Sequence, residues 1–169
     1  MAQLNFRPSL DDALLAVGER RWNSIAEGSE RKWPSTLRTQ AVTTMALSLF
    51  AFDIAQKHRD WLFALPDTGL LAQTDRTDAM RHAFAALHEV SDENGLMRAL
   101  RTLRSRELFI IAWRDLNGLA NVEETLLHLS LLADLAVGSA MHWIETDFAP
   151  KHGQALTRDG QRQQLMILG

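Results

Sequence analysis

Between Ser91 and Leu127 the chain reads SDENGLMRALRTLRSRELFIIAWRDLNGLANVEETLL. Ser91 or Asp92 is a helix-start signal, because a short side-chain oxygen can accept from the free N–H groups of a first helical turn. Arg98, Arg101, Arg104 and Arg106 then fall within nine residues, and Leu108 to Trp113 is wholly apolar. Asn117-Gly118 is a stop, since glycine tolerates the left-handed conformation just past a helix end. Asn121, with Glu124 three residues on, reads as a capping box that opens another helix. A chain containing this stretch has to fold around a long helix that is solvated at its start and buried along its second half.

The remaining residues support an all-α fold, a bundle of about five helices. Ser9-Leu10-Asp11-Asp12 starts the first, with a loose stripe at Leu10, Leu14, Val17 and Trp22 and an end at Gly28-Ser29. Trp33-Pro34-Ser35 starts the second, because proline suits only a first turn. Ala41, Met45, Ser48, Phe52 and Ala55 then recur at helical spacing, which predicts one helix to about His58. Asp60 to Leu65 is a short segment that packs Trp61, Leu62 and Phe63 and is broken by Pro66. Asp75-x-x-Asp78 starts the third helix, with Met80, Phe84 and Leu87 inward. The arginine-rich helix is the fourth, reaching Leu116. The fifth carries a stripe at Val122, Leu126, Leu129, Ala133, Ala136, Ala140 and Trp143 and ends near Phe148-Ala149-Pro150. KHGQALTRDGQRQ is a polar loop, and Gln164 to Gly169 (QLMILG) reads as a short buried strand. A lone strand has no partner for its N–H and C=O groups. We therefore expect residues 1–150 to form a helical subdomain, and 151–169 to be a linker and the first strand of a sheet that has been cut off.

Composition narrows the function classes. At 169 residues and 46% hydrophobic the chain suffices for one domain with a real core. A net charge of −3 argues against whole-molecule attraction to nucleic acid or an anionic membrane. The longest uncharged run, Thr39 to Phe52, is too short to span a bilayer. With no cysteine, disulfide and thiol chemistry are excluded, which fits a cytoplasmic protein. MAQLNFRPSLDD has neither the basic nor the apolar segment of a signal peptide.

Arg98, Arg101 and Arg104, three residues apart, share one side of their helix. They suit either a phosphate cradle or a solvated face paired with Glu89, Asp92 and Glu93. Glu107 lies among Leu100, Leu103, Ile110 and Ile111 and needs a cationic partner, Arg104 or an arginine of another helix. The residues singled out as structural ion-pair candidates are Arg104, Arg106, Glu107, Arg114 and Asp115. His58, His82, His88, His128, His142 and His152 show no metal-ligand spacing, and no nucleophile elbow, phosphate loop or paired catalytic aspartate stands in the sequence. No catalytic or metal-binding residue is assigned.

The string from Val90 to Ala136, Arg-x-Arg-Glu-Leu…Ile-Ala-Trp-Arg-Asp-Leu…Glu-Glu-Thr above all, resembles the glutamine synthetase adenylyltransferase and adenylyl-removing enzymes. The resemblance extends over roughly Gln40 to Gly169. QQLMILG is similar to the strand that, in that family, leads into a Gly-Met-Gly-Lys-Leu-Gly-Gly run and then a Ser-Asp-Ile-Asp-Leu motif. The chain departs from the family pattern at Ser105 and Ile110, where the family carries further arginines. The resemblance implies the helical start of the adenylyl-removing half of a bifunctional nucleotidyltransferase. That enzyme would adenylylate a tyrosine of glutamine synthetase with ATP and remove the AMP by phosphorolysis to ADP. It would use magnesium or manganese held by an Asp-x-Asp pair and respond to PII-type signalling proteins. Those carboxylates lie outside this sequence, so the chain is expected to be a non-catalytic scaffold without a cofactor of its own. The alternative is a stand-alone helical protein-interaction module. An apolar terminal strand, Leu165 to Gly169, further predicts concentration-dependent self-association.

Overall fold

The computed structural model describes residues 10–163 and Ile167, and among them the fold is all-α. Helix α1, Asp12–Ala26, is capped by Asp11, whose Oδ1 accepts from the Leu14 amide at 2.7 Å. Ser9 lies outside the described residues. The inward face of α1 is Gly18, Trp22 and Ile25, whereas Leu14 of the predicted stripe is exposed. Gly18 replaces an apolar side chain because the next helix passes too near for one. A Cβ there would lie 2.4 Å from the Val42 carbonyl oxygen.

The second predicted helix is two helices. α2 spans Ser35–Leu47 and α3 spans Leu49–Lys57, with Ser48 extended between them at φ −134°, ψ 110°. The Ser48 hydroxyl accepts from the Ala51 amide at 3.0 Å, so the residue that breaks α2 caps α3. The Met45 carbonyl near the end of α2 is taken by Arg21 Nη1 at 2.7 Å. The break leaves Leu49 and Phe50 exposed. Helix α4, Arg59–Thr68, contains Pro66 instead of ending before it. The proline sits in the last turn, and the helix closes at Gly69, whose φ is 70°.

Helix α5, Thr77–Ala85, is followed by a 3₁₀ turn, Ala86–Glu89, and Met80, Phe84 and Leu87 point inward. Helix α6, Glu93–Leu116, is capped by Asp92 Oδ1 on the Gly95 amide at 2.7 Å, and Gly118 beyond its end has φ 63°. Helix α7, Val122–Trp143, is capped by Asn121 Oδ1 on the Glu124 amide at 2.8 Å. Only half of the predicted capping box forms, because the Glu124 carboxylate turns to Arg114. The inner face of α7 is His128, Leu131, Leu132 and Ser139. Of the predicted stripe, Val122, Leu126, Leu129 and Ala133 are exposed, whereas Ala136 and Trp143 further along are partly buried against the second core. The helical path also continues past its predicted end, through a π turn, Ile144–Phe148, into a last turn α8, Ala149–His152. The predicted count of about five helices therefore becomes eight α-helical segments among the described residues, because two predicted elements divide and a short one is a helix in its own right. In the polar loop Leu156 and Arg162 form one isolated antiparallel bridge. The predicted strand from Gln164 to Gly169 falls outside the described residues except for Ile167, which is exposed and in no regular structure.

Two apolar cores result, and α6 is a wall of both. Phe109, Ile110 and Trp113 join Trp22, Met45, Ile54, Leu62 and their neighbours from α1 to α4. Leu96 and Ile111 join Phe84, Leu87 and Leu132 from α5, the 3₁₀ turn and α7. Trp22, Trp33, Phe63, Trp113 and Phe109 interlock in the first core, with Trp22 and Trp33 edge to face at 4.9 Å between centroids.

The close approach at Gly18 gives a direct test. Gly18→Ala is expected to lower stability by about 1–3 kcal/mol through overpacking against α2. Gly138→Ala, where an added methyl meets nothing within 4 Å, is expected to raise it by about 0.5–1 kcal/mol. Urea denaturation of both variants measures the pair; equal effects would show that α1 and α2 are not in close contact.

Candidate functional site

The polar chemistry of the interior is concentrated on α6 and on the connector between α4 and α5. Glu107 is buried at 6% exposure and receives both bonds from one nitrogen of Arg76, Nη2 lying 2.7 Å from Oε1 and 2.6 Å from Oε2. Arg76, at the start of α5, is itself 2% exposed and reaches Gln73 Oε1 at 3.4 Å. The Glu107 partner is thus an arginine of another element, not Arg104. Sequence reasoning missed Arg76, which stands alone between Asp75 and Thr77; its one sequence signal is that a buried acid requires a cation somewhere else in the chain.

Arg114 is equally buried and fully engaged. Its Nε donates to Glu124 Oε1 at 2.8 Å, Nη1 to the Leu71 carbonyl at 3.0 Å and Nη2 to the Leu119 carbonyl at 2.9 Å. It ties α6 to the connector, to the loop after α6 and to the first turn of α7. Asp115 makes no salt bridge among the described residues; its Oδ1 accepts from the Thr125 hydroxyl at 3.2 Å. Asn117 donates to Thr44 Oγ1 at 2.8 Å, joining the end of α6 to α2.

Arg98, Arg101 and Arg104 are exposed and form no salt bridge among the described residues. They make a solvated face and do not converge on one point. Arg106 departs from them, with its guanidinium carbon 5.4 Å from the Trp61 ring centroid. Asp75, beside the Arg76–Glu107 pair, is held below the usual carboxylate range by its hydrogen bonds from Thr77, the backbone amide first, with a smaller contribution from His128.

No three His, Asp or Glu side chains among the described residues come together in a way that could hold a metal ion. The histidines are spread out: His128 is buried on α7, His88 stacks on His142 at 3.9 Å between centroids, and His152 stacks on Phe148 at 4.1 Å. The arrangement built on α6 can brace helices against one another.

A sequence profile of the family described as glutamate-ammonia ligase adenylyltransferase matches residues 38–169. The bifunctional glutamine synthetase adenylyltransferase/adenylyl-removing enzyme of Thioalkalivibrio sulfidiphilus is 37% identical over 138 residues, 81% of this chain and 14% of that protein. The protein of the same description from Shewanella loihica is 30% identical over 157 residues, 90% of this chain and 16% of that one. The Methylococcus capsulatus protein, again so described, is 42% identical over 81 residues, 48% of this chain and 8% of its own length. The chain thus spans about a sixth or less of the curated relatives it matches.

The bracing role of the buried pair is open to measurement. Glu107→Gln leaves Arg76 buried without a counter-charge and is expected to cost about 3–5 kcal/mol. Replacing both residues, Arg76→Met with Glu107→Leu, is expected to recover most of that loss in the same calorimetric or urea experiment. Arg104→Gln, on the solvated face, is expected to stay within about 0.5 kcal/mol of the parent.

Proposed function

The chain belongs to the glutamate-ammonia ligase adenylyltransferase family, and from that premise we propose that it is a non-catalytic helical scaffold within a bifunctional adenylyltransferase/adenylyl-removing enzyme. Its work is to position a catalytic domain supplied by the rest of the longer protein. That enzyme would reversibly adenylylate a tyrosine of glutamine synthetase in the cytoplasm, under the influence of PII-type proteins, with ATP or ADP and a divalent ion bound outside this chain.

The observation that carries the reading is the outer face of α7. Leu126 is 58% exposed, Val122 67% and Val137 40%, and Ile144 and Phe148 continue the exposed series. These residues recur at helical spacing, so the helix has a second apolar face in addition to the one packed on α5 and α6. Uncovered apolar stripes of this kind mark a surface that another body covers. The relatives are about six or more times as long as the matched segment, so the occupant proposed is another part of the same polypeptide. By length and composition alone, Val122–His152 would also serve to cross a membrane. Crossing would strip His128, Leu132 and Ser139 from the core and carry a histidine into hydrocarbon, which argues for a protein surface as the occupant.

Two measurements test the reading. Incubated with adenylylated glutamine synthetase, phosphate and magnesium, the purified chain is expected to release no ADP; release above background overturns the non-catalytic assignment. The pair Leu126→Glu and Val137→Glu is expected to leave the stability of the chain within about 0.5 kcal/mol, as for other surface changes. The same pair placed in a full-length relative is expected to reduce its activity severalfold. Full activity in that variant would exclude the outer face of α7 as the contact with the catalytic domain.

A further inference from the structure

The corner between α3 and α4 holds a concave site that the scaffold role does not use. Lys57 ends α3, His58 is the single residue between the two helices, and Arg59, Asp60 and Trp61 begin α4. Arg106 of α6 reaches into the same pocket, whose volume is about 270 Å³. Three cations and one acid face it, so its walls carry a net positive charge with His58 neutral.

Arg106 is the unusual member. It is half-buried, its Nε is wholly enclosed without a hydrogen-bond partner, and it forms no salt bridge among the described residues. The ring of Trp61 covers it without supplying an acceptor of its own. An anion in the pocket cannot reach that enclosed Nε; it would meet Nη1 and Nη2, which are not enclosed and make no hydrogen bond among the described residues. Glu107, the neighbouring carboxylate in sequence, is already committed to Arg76. Arg59 is partly engaged, donating to the Glu27 carbonyl, and Asp60 is exposed. Lys57 is exposed and forms no salt bridge among the described residues. Burial first, then Arg106 and Lys57, hold the His58 imidazole below its ordinary value, so the charges that would attract an anion already act on this residue.

We propose that this corner binds a single phosphate group, free or carried on a small ester, through Arg106 and Lys57 beside His58. Guanidinium and ammonium donors match phosphate oxygens, and the guanidinium does so in a planar fork. The size favours the group alone: pockets that take whole drug-sized ligands run from about 300 to 1,000 Å³. The site rests on side chains of α3, α4 and α6 and is independent of the scaffold reading above.

Histidine NMR on the full chain tests it. Inorganic phosphate and glycerol phosphate are titrated separately at ionic strength fixed with sodium chloride, and the His58 ring signals are followed against pH. Saturable binding is expected, with the His58 midpoint moving up as the anion offsets the neighbouring positive charges. Tighter binding of the ester than of inorganic phosphate would assign the source as an ester, and the reverse order as the free ion. Arg106→Gln is expected to weaken binding about tenfold or more, in keeping with the strength of a charged hydrogen bond. Lys57→Gln, at an exposed position that leaves the core untouched, is expected to weaken it about threefold or more, on the scale of one partly solvated charge. The proposal is overturned if His58 responds to phosphate no more than to chloride. It is likewise overturned if folded Lys57→Gln and Arg106→Gln bind phosphate as the parent does, or if only a polyanion such as heparin shifts the signal.

Discussion

Glu107 and Arg114 fix the architecture by holding one connector. They stand about two turns apart on α6. One reaches Arg76 and the other the Leu71 carbonyl, so the segment that joins α4 to α5 is tied down near both of its ends. That segment is where the chain passes from the first core to the second. Charges taken out of water are expensive unless they are fully paired, and here the pairing can be completed only if α4, α5 and α7 all sit at one register on α6. Apolar burial supplies the drive to collapse; these two side chains choose the arrangement. Ile110 and Ile111 show how tightly that arrangement is drawn, since neighbouring residues serve opposite cores. Ile110 is 1% exposed and needs no ionic partner.

What could be read from the sequence was what is determined locally. The cap at Asp92, the end at Leu116, the left-handed Gly118 and the Asn121 cap all depend on residues within four positions of one another, and they stand as expected. The interruption at Ser48 was not legible, because apolar spacing runs through it unbroken and the price of the break is met by Arg21, a residue of another helix. Pro66 does not stop α4 even though it removes the amide that would bond to the Leu62 carbonyl, and the helix runs on only two residues more, to Thr68. Glu107 announced that it required a cation, but the sequence carries no mark that distinguishes Arg76 from other arginines. The pocket at His58 was hidden for a related reason: its cations come from either side of a helix corner and from a helix some fifty positions later.

The stripe on α7 shows a different limit. The helix forms as its period predicts, yet the first half of that regular apolar face, Val122 to Ala133, is exposed, and only its second half, at Ala136 and Trp143, packs on the second core. Periodicity reports that a helix is two-sided; it does not report which side meets this fold and which meets something else. The inner face is less regular, mixing His128 and Ser139 with leucines, and so carries a weaker periodic signal. A helix with apolar residues on two faces is only half accounted for by the bundle it belongs to.

The π turn at Ile144–Phe148 bears on how the chain leaves that helix. A π turn accommodates one residue more than an α turn, so the side chains beyond it are set back by about 100° relative to an unbroken helix. Pro150 follows immediately, at the start of the last turn α8, a position that proline tolerates. The exit direction is thereby uncoupled from the register that α7 must keep on α6. In such a joint, a one-residue insertion or deletion re-aims everything downstream while the packing of the bundle stays as it was.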